Sequence, residues 1–162
     1  MNPFVNSNQR GIDLPLGCKD LIDVLPKKAG FQPFKNEQMP GLYLRDLEGL
    51  ISQLYEFKGT GRFLYIQSST GVLIGLSCSL SSKRMMFVLK PGENTLGESV
   101  KATLLAAGIS SESVTVSQIT GRLSVHCNLL FTASETISLL SKLLQSVHQS
   151  DGPFHVTQMT MP

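Results

Sequence analysis

Apolar and polar residues alternate over several short stretches of the chain, and each such stretch predicts a β-strand. Residues 72–80 give the clearest example, with an apolar phase made of Val72, Ile74, Leu76, Cys78 and Leu80. Residues 62–68 precede this segment and residues 83–90 follow it, with turns of only a few residues between them. Because turns this short join antiparallel strands, the three segments predict a meander.

A second pair of strands is predicted at 114–119 and 122–131, joined by a turn at Gly121. The later strand has an apolar phase made of Leu123, Val125, Cys127, Leu129 and Phe131. Its other phase is polar and consists of Arg122, Ser124, His126 and Asn128. One apolar and one polar phase are typical of a sheet that is covered on one side only.

Three longer segments repeat their apolar residues with the period of an α-helix. They lie at 42–57, 94–108 and 132–147. In the first of them the apolar face consists of Leu44, Leu47, Ile51, Leu54 and Tyr55. The helices are the amphipathic elements that can cover the apolar phase of the strands.

Two of these helices begin with a residue pattern that indicates a capping box. Thr95 is followed three residues later by Glu98, and Thr132 is followed by Glu135. In this motif the hydroxyl and the carboxylate each accept a hydrogen bond from a backbone amide that the helix leaves unpaired.

These elements predict an α+β fold, a two-layer sandwich of helices on an antiparallel five-stranded sheet. The sheet combines a three-strand meander with a two-strand unit, in the order α-βββ-α-ββ-α. We expect such a sandwich either to leave one sheet face open or to dimerise through its sheet or a helix.

The pattern divides the chain into an N-terminal arm (1–41), an α+β domain (42–150) and a C-terminal tail (151–162). Within the arm, Leu21, Val24 and Leu25 lie on one face of a predicted short helix at 14–25. An isolated helix of this length is marginal in water, so we expect it to dock on another part of the protein. Three prolines make 26–40 an extended connector, and 154–162 is either an edge strand or a loose end.

Composition narrows the class of protein. The chain has 162 residues, of which 41% are hydrophobic and 16% are charged, with a net charge of +2. This composition disfavours disorder. No apolar run approaches the roughly 18 residues of a membrane span, and the N-terminus does not have the pattern of a signal peptide. Three cysteines without a CxxC pair indicate buried thiols in a reducing compartment, so we expect a cytoplasmic protein.

No catalytic, cofactor-binding or metal-binding constellation is visible in the sequence. The glycine-rich run at 58–62 follows a helix and precedes a strand, which is the reverse of a phosphate-binding loop. The histidines, His126, His148 and His155, do not have the spacing of metal ligands. We therefore expect no enzyme, no cofactor and no metal, although residues distant in sequence can still converge on a site.

The most unusual feature is the placement of charge. Residues 57–92 contain five basic residues and no acidic residue, while the segments on either side have a small net negative charge. With two residues of the polar strand phase, they form the candidate site for an anion or a partner, namely Lys58, Arg62, Lys83, Arg84, Lys90, Arg122 and His126. The other interpretation is that these charges protect strand ends from aggregation.

The order of the elements resembles that of type III secretion chaperones and of the related bacterial sensory-transduction-regulator-like domains. The likeness covers about residues 42–148. It rests on the helix from Leu44 to Leu54, the meander from Arg62 to Lys90, the helix from Thr95 and the final helix from Ser134. It implies a small domain that usually dimerises, and it assigns no residue a role.

Two hypotheses about function follow from the sequence. The first is a non-enzymatic protein-interaction module, a small cytoplasmic adaptor or chaperone-like homodimer, because the scaffold is well patterned and shows no catalytic constellation. The second is an anion-binding or nucleic-acid-binding protein that uses the basic segment 57–92.

Overall fold

The computed structural model describes residues 35–57, 61–79 and 82–161. These residues form an α+β fold with three α-helices and one seven-stranded sheet, in which every neighbouring pair of strands is antiparallel. The predicted short helix at 14–25, most of the connector, Lys58 and Leu80 lie outside the described residues.

The strands are β1 (Lys35–Leu42), β2 (Gly61–Ser68), β3 (Leu73–Ser79), β4 (Ser82–Val88), β5 (Thr115–Ile119), β6 (Arg122–Asn128) and β7 (Phe154–Met161). The helices are α1 (Glu48–Tyr55), α2 (Gly97–Ala106) and α3 (Ala133–Ser146). Short 3₁₀ segments, Leu44–Leu47 and Asn94–Leu96, lead into α1 and α2.

The strand order across the sheet is β1-β7-β2-β3-β4-β6-β5. The meander β2-β3-β4 and the hairpin β5-β6 match the sequence prediction, and β6 joins the two units by pairing with β4. Thr120 and Gly121 both have positive φ, as a two-residue turn of type I′ between β5 and β6 requires.

The predicted five-stranded sheet in the order α-βββ-α-ββ-α is wrong in detail. Residues Lys35–Leu42 include the end of the predicted connector and the residue at which the first helix is predicted to begin, and they form a strand, while the helix itself begins at Glu48. Residues Phe154–Met161, from the predicted tail, form a further strand. Strand β7 lies between β1 and β2 and pairs with both. The first strand is therefore joined to the sheet through its pairing with the last strand. The observed order is β-α-βββ-α-ββ-α-β.

All three helices share their core with one face of the sheet, which we call the helix face. Ile51 and Leu54 from α1, and Val100 and Leu104 from α2, are buried against it. The sheet contributes the predicted apolar phases, including Leu64, Ile74, Leu76, Phe87, Val125 and Cys127. The alternation in the sequence therefore correctly predicts which side chains of these strands face the helices.

The sheet residues of the opposite phase form what we call the second face. It contains Phe63, Tyr65 and Gln67 of β2, Leu73, Gly75 and Ser77 of β3, Arg84, Met86 and Val88 of β4, Ser124, His126 and Asn128 of β6, and His155, Thr157 and Met159 of β7.

Candidate functional site

Two of the predicted site residues lie at one end of the helix face. Arg62 on β2 and Lys83 on β4 flank Cys78 on the strand between them. The Arg62 guanidinium carbon is 4.6 Å from the centre of the Phe57 ring, and Lys83 Nζ is 4.3 Å from the centre of the Tyr55 ring. Both cations are therefore engaged by aromatic faces of their own chain.

Lys90 and Arg122 lie at the other end of the sheet. Lys90 Nζ forms an ion pair of 3.1 Å with Glu93. Arg122 is buried, and its Nε donates a hydrogen bond of 3.0 Å to the backbone carbonyl oxygen of Leu89. Its guanidinium also donates to the carbonyl oxygen of Gly71. Arg122 thus connects the segments that follow β2 and β4 to the start of β6.

Arg84 and His126 lie near each other on the second face, beside a depression of about 380 Å³. Gly75 leaves its floor without a side chain, Phe63 and Met86 form apolar walls, and Ser77 adds a hydroxyl. The Arg84 side chain is exposed, so its charge is open to solvent. This is where the structure brings two of the predicted site residues into one concave site.

The His126 imidazole is surrounded by hydroxyl groups. Its Nε2 lies 2.7 Å from Ser124 Oγ and 3.3 Å from Ser117 Oγ. Burial lowers the pKa of His126 from its ordinary value, and the positive charge of Arg84 lowers it further. The ring is therefore neutral at pH 7 and adds no charge to the depression.

The short contact between Ser124 and His126 has the length of a nucleophile–base pair. Ser124 is completely buried, so its hydroxyl is closed to a substrate. Within the described ranges, His126 forms side-chain hydrogen bonds with serines and not with a carboxylate that would orient the ring. The geometry is that of a satisfied polar network.

The described cysteines are buried free thiols. Burial raises the pKa of Cys78, and it raises the pKa of Cys127 to about 12. Both thiols are protonated at neutral pH and are therefore poor nucleophiles. In the described part of the chain, no cluster of three or more His, Cys, Asp or Glu side chains is arranged to hold a metal ion.

Sequence reasoning missed an apolar margin of the domain, which consists of β5 and the outer side of α2. Strand β5 is the last strand of the sheet on this side, and its Val116 is 46% exposed. Helix α2 packs against β6, and its Ala102, Leu105 and Ala106 are exposed, Leu105 to 40%. These three residues have the i, i+3, i+4 spacing of one helix face, which is a signal that the sequence does contain.

Comparison of the chain with protein-family models, with curated proteins and with solved structures finds no match. Across residues 35–57, 61–79 and 82–161, no helix has the length and apolar character needed to span a bilayer.

Proposed function

We propose that this protein is a non-enzymatic protein-interaction module, of the adaptor or chaperone-like kind, that works as a homodimer. The observation that supports this proposal best is the apolar margin: β5 is an edge strand without charges, and α2, which has an exposed apolar face, packs against β6, the strand that pairs with β5. The occupant of this margin is a second copy of the chain, which pairs β5 with β5 and packs α2 against α2.

The two edges of the sheet differ in the way that such pairing requires. Strand β1 contains Lys35, Glu37 and Pro40, and its register with β7 is irregular between Met39 and Leu42. Charges, proline and bulges are the features by which sheets protect an edge. Strand β5 has the sequence TVSQI and contains none of the charged or proline residues found on β1. Its backbone can therefore continue the sheet into a partner.

A two-fold axis is compatible with this arrangement, because an antiparallel strand can pair with its own copy across the axis. A stable interface buries about 800 Å² on each partner. Strand β5 has five residues and spans about 17 Å, so its edge alone is too small. The exposed side of α2 supplies the additional apolar area.

Molar mass measured by light scattering tests the proposal. The wild-type chain of 17.7 kDa should elute with twice that mass. Val116→Lys and Leu105→Lys each place a charge in the margin and should shift the protein to the monomer. Leu130→Lys is the matched control, because Leu130 is 94% exposed but lies in the loop between β6 and α3. A wild-type monomer at all concentrations would exclude the homodimer.

A second candidate function, the binding of an anion or a nucleic acid, is favoured by one observation. Arg84 holds an exposed charge beside the depression on the second face, with the hydroxyls of Ser77 and Ser82 nearby. Binding of a labelled oligonucleotide should then weaken with salt and with Arg84→Ala. Lys83→Ala is the control on the opposite face of the same strand. Titrations in which the wild-type protein does not bind the oligonucleotide would exclude this second function.

We also propose a cytoplasmic location. The support for it is chemical, because Cys78 and Cys127 are free thiols in the core, as proteins of reducing compartments commonly have.

A further inference from the structure

The depression on the second face is a slot that runs along β3. In the register of the strands, Ser77 lies directly between Phe63 on β2 and Arg84 on β4. In the next row on the same face, Gly75 lies opposite Met86 of β4. Small residues on the middle strand thus stand between larger side chains on both neighbours. Because adjacent strands are about 4.8 Å apart, the two walls are roughly 10 Å apart, which leaves the width of one side chain between them.

The slot is closed at one end and open at the other. Leu73 precedes Gly75 on the same face of β3, so a large side chain ends the slot there. Gly61, Ser79 and Ser82 line the other end, where the side chains are small and Ser82 is exposed. The distance along β3 from Gly75 to Ser79 is about 14 Å. A ligand that enters from the open end therefore reaches Gly75 with its innermost part.

The inner part of the slot is apolar. Tyr65 and Met86 flank Gly75, and the rings of Phe63 and Tyr65 lie parallel with their centres 6.2 Å apart. Aromatic rings and the thioether of methionine both make favourable contacts with apolar groups and with rings. The volume of about 380 Å³ is near the lower end of the range for small-molecule sites. The slot therefore fits a small apolar body.

Arg84 places one positive charge beside this apolar part. Among the residues that the structure describes, the Arg84 side chain forms no ion pair and no hydrogen bond, whereas Arg62 and Lys83 are held against aromatic rings. The neighbouring His126 ring is neutral at pH 7 and adds no second charge. A guanidinium group presents paired donors that match a carboxylate. One cation is suited to a monoanion, since polyanions such as nucleic acids are bound by several.

We propose that this slot binds a small monocarboxylate with an apolar body, a single ring or a short alkyl chain. The carboxylate lies between Arg84 and Ser77, and the apolar part lies over Gly75 between Tyr65 and Met86. The two rows are about 7 Å apart along the strands, which is the length of one ring or a short chain. The proposal rests on the second candidate function, because it narrows the anion at Arg84 to this class, and it is independent of the homodimer.

Methyl NMR of the full chain with ¹³C-labelled methionine methyl groups tests the proposal, with phenylacetate and hexanoate as the probes. The Met86 signal should shift on titration because its side chain lines the slot. The Met85 signal should not shift, since its side chain lies in the core on the other face of β4. Phenylacetamide and hexanamide have the same apolar bodies without the charge, and they should bind roughly tenfold more weakly.

Two pairs of variants separate the charge from the shape of the slot. Arg84→Ala should weaken the binding of both acids by roughly tenfold, and Lys83→Ala, on the opposite face of the same strand, should leave it unchanged. Ser77→Leu fills the slot and should abolish binding. Asn128→Leu adds the same side chain to the same row of the second face, but on β6 outside the slot, and should not change the affinity. An unchanged Met85 signal shows that each variant keeps its core.

Three results would overturn the proposal. The first is a Met86 signal that neither acid shifts. The second is equal affinity for the acids and their amides, or for wild type and Arg84→Ala, since the slot would then be an apolar cavity without anion recognition. The third is binding that survives Ser77→Leu, because the acid would then bind elsewhere.

An oligonucleotide titration distinguishes this proposal from the second candidate function. If an oligonucleotide binds through Arg84 and neither acid does, the monocarboxylate proposal fails and the anion-binding function stands. If the acids bind and the oligonucleotide does not, the proposal is supported and nucleic acid is excluded as the ligand. Tighter binding of phenylacetate than of hexanoate would support a ring as the apolar body, and the reverse order would support a chain.

Discussion

Arg122 Nε donates a hydrogen bond of 3.0 Å to the backbone carbonyl oxygen of Leu89, and the same guanidinium donates to Gly71. A residue that belongs to the predicted anion site is thus buried and bound to its own backbone. Its removal leaves carbonyl oxygens without their donor in a region that water reaches poorly.

We therefore expect Arg122→Ala to lower the free energy of unfolding by about 1–3 kcal/mol, the typical cost of unpaired buried polar groups. Urea denaturation measures it. Arg84→Ala is the matched control and should stay within about 0.5 kcal/mol, because the side chain is exposed. Equal stability of the two variants would show that Arg122 is not a structural residue.

The contact between α1 and α3 gives a second prediction. Thr136 Oγ1 donates to the Thr132 carbonyl oxygen at 2.8 Å, so the Tyr55 hydroxyl, 2.7 Å away, is the donor to Thr136. A double-mutant cycle with Tyr55→Phe and Thr136→Val should give a coupling of about 1 kcal/mol, as for a single hydrogen bond. Additive effects of the two substitutions would contradict this geometry.

Tyr55 also makes the free energy of unfolding depend on pH in the alkaline range. Burial is the main reason why its pKa rises from 10.0 to about 12. The folded pKa is above the unfolded one, so the stabilisation is complete below pH 10 and is lost as the pH rises towards 12. Ultraviolet titration of the phenolate should show a late-titrating tyrosine that disappears in Tyr55→Phe.

His126 gives a prediction at the acidic side. Burial and Arg84 lower its pKa below the ordinary 6.5, so the neutral ring is favoured in the folded protein. The contribution of the neutral His126 ring to the free energy of unfolding is complete above pH 6.5 and is lost as the pH falls through the folded pKa. His126→Gln should flatten the unfolding free energy measured between pH 7.5 and 5.

Arg84→Ala separates the two causes of the His126 shift. Because burial is the larger cause, the variant should raise the pKa of His126 only part of the way to 6.5. An NMR titration of the imidazole measures this directly, and an unchanged pKa would mean that the charge of Arg84 does not reach the ring.

The sequence predicts the central elements well because their patterns are local. The phases of β3 and β6 identify the helix face, and Thr132 and Glu135 form the expected capping box. The other expected box does not form, because Thr95 lies inside a 3₁₀ segment and α2 starts at Gly97 without a side-chain cap.

The sequence does not predict β1 and leaves β7 undecided between an edge strand and a loose end, because the pairing of these strands is distant in sequence. Strand β7 pairs with β1 across more than a hundred residues, and its helix-face phase passes from Phe154 and Val156 to the polar Gln158 and Thr160. Such a mixed phase does not distinguish a strand from a loose end. On the second face, Leu73, Val88 and Met159 belong to phases that mix polar and apolar residues, so their common burial appears only after the strands are aligned.

Cross-linking at the centre of β5 tests the proposed homodimer most directly. In an antiparallel pairing of β5 with its own copy, residues near the two-fold axis meet at about 4.5–5.5 Å between α-carbons. With Cys18→Ser, we expect Thr115→Cys or Ser117→Cys to give a covalent dimer on treatment with an oxidant or a short bifunctional thiol reagent, and Ser82→Cys to give none. If neither β5 position cross-links faster than Ser82→Cys, two copies do not meet at this edge.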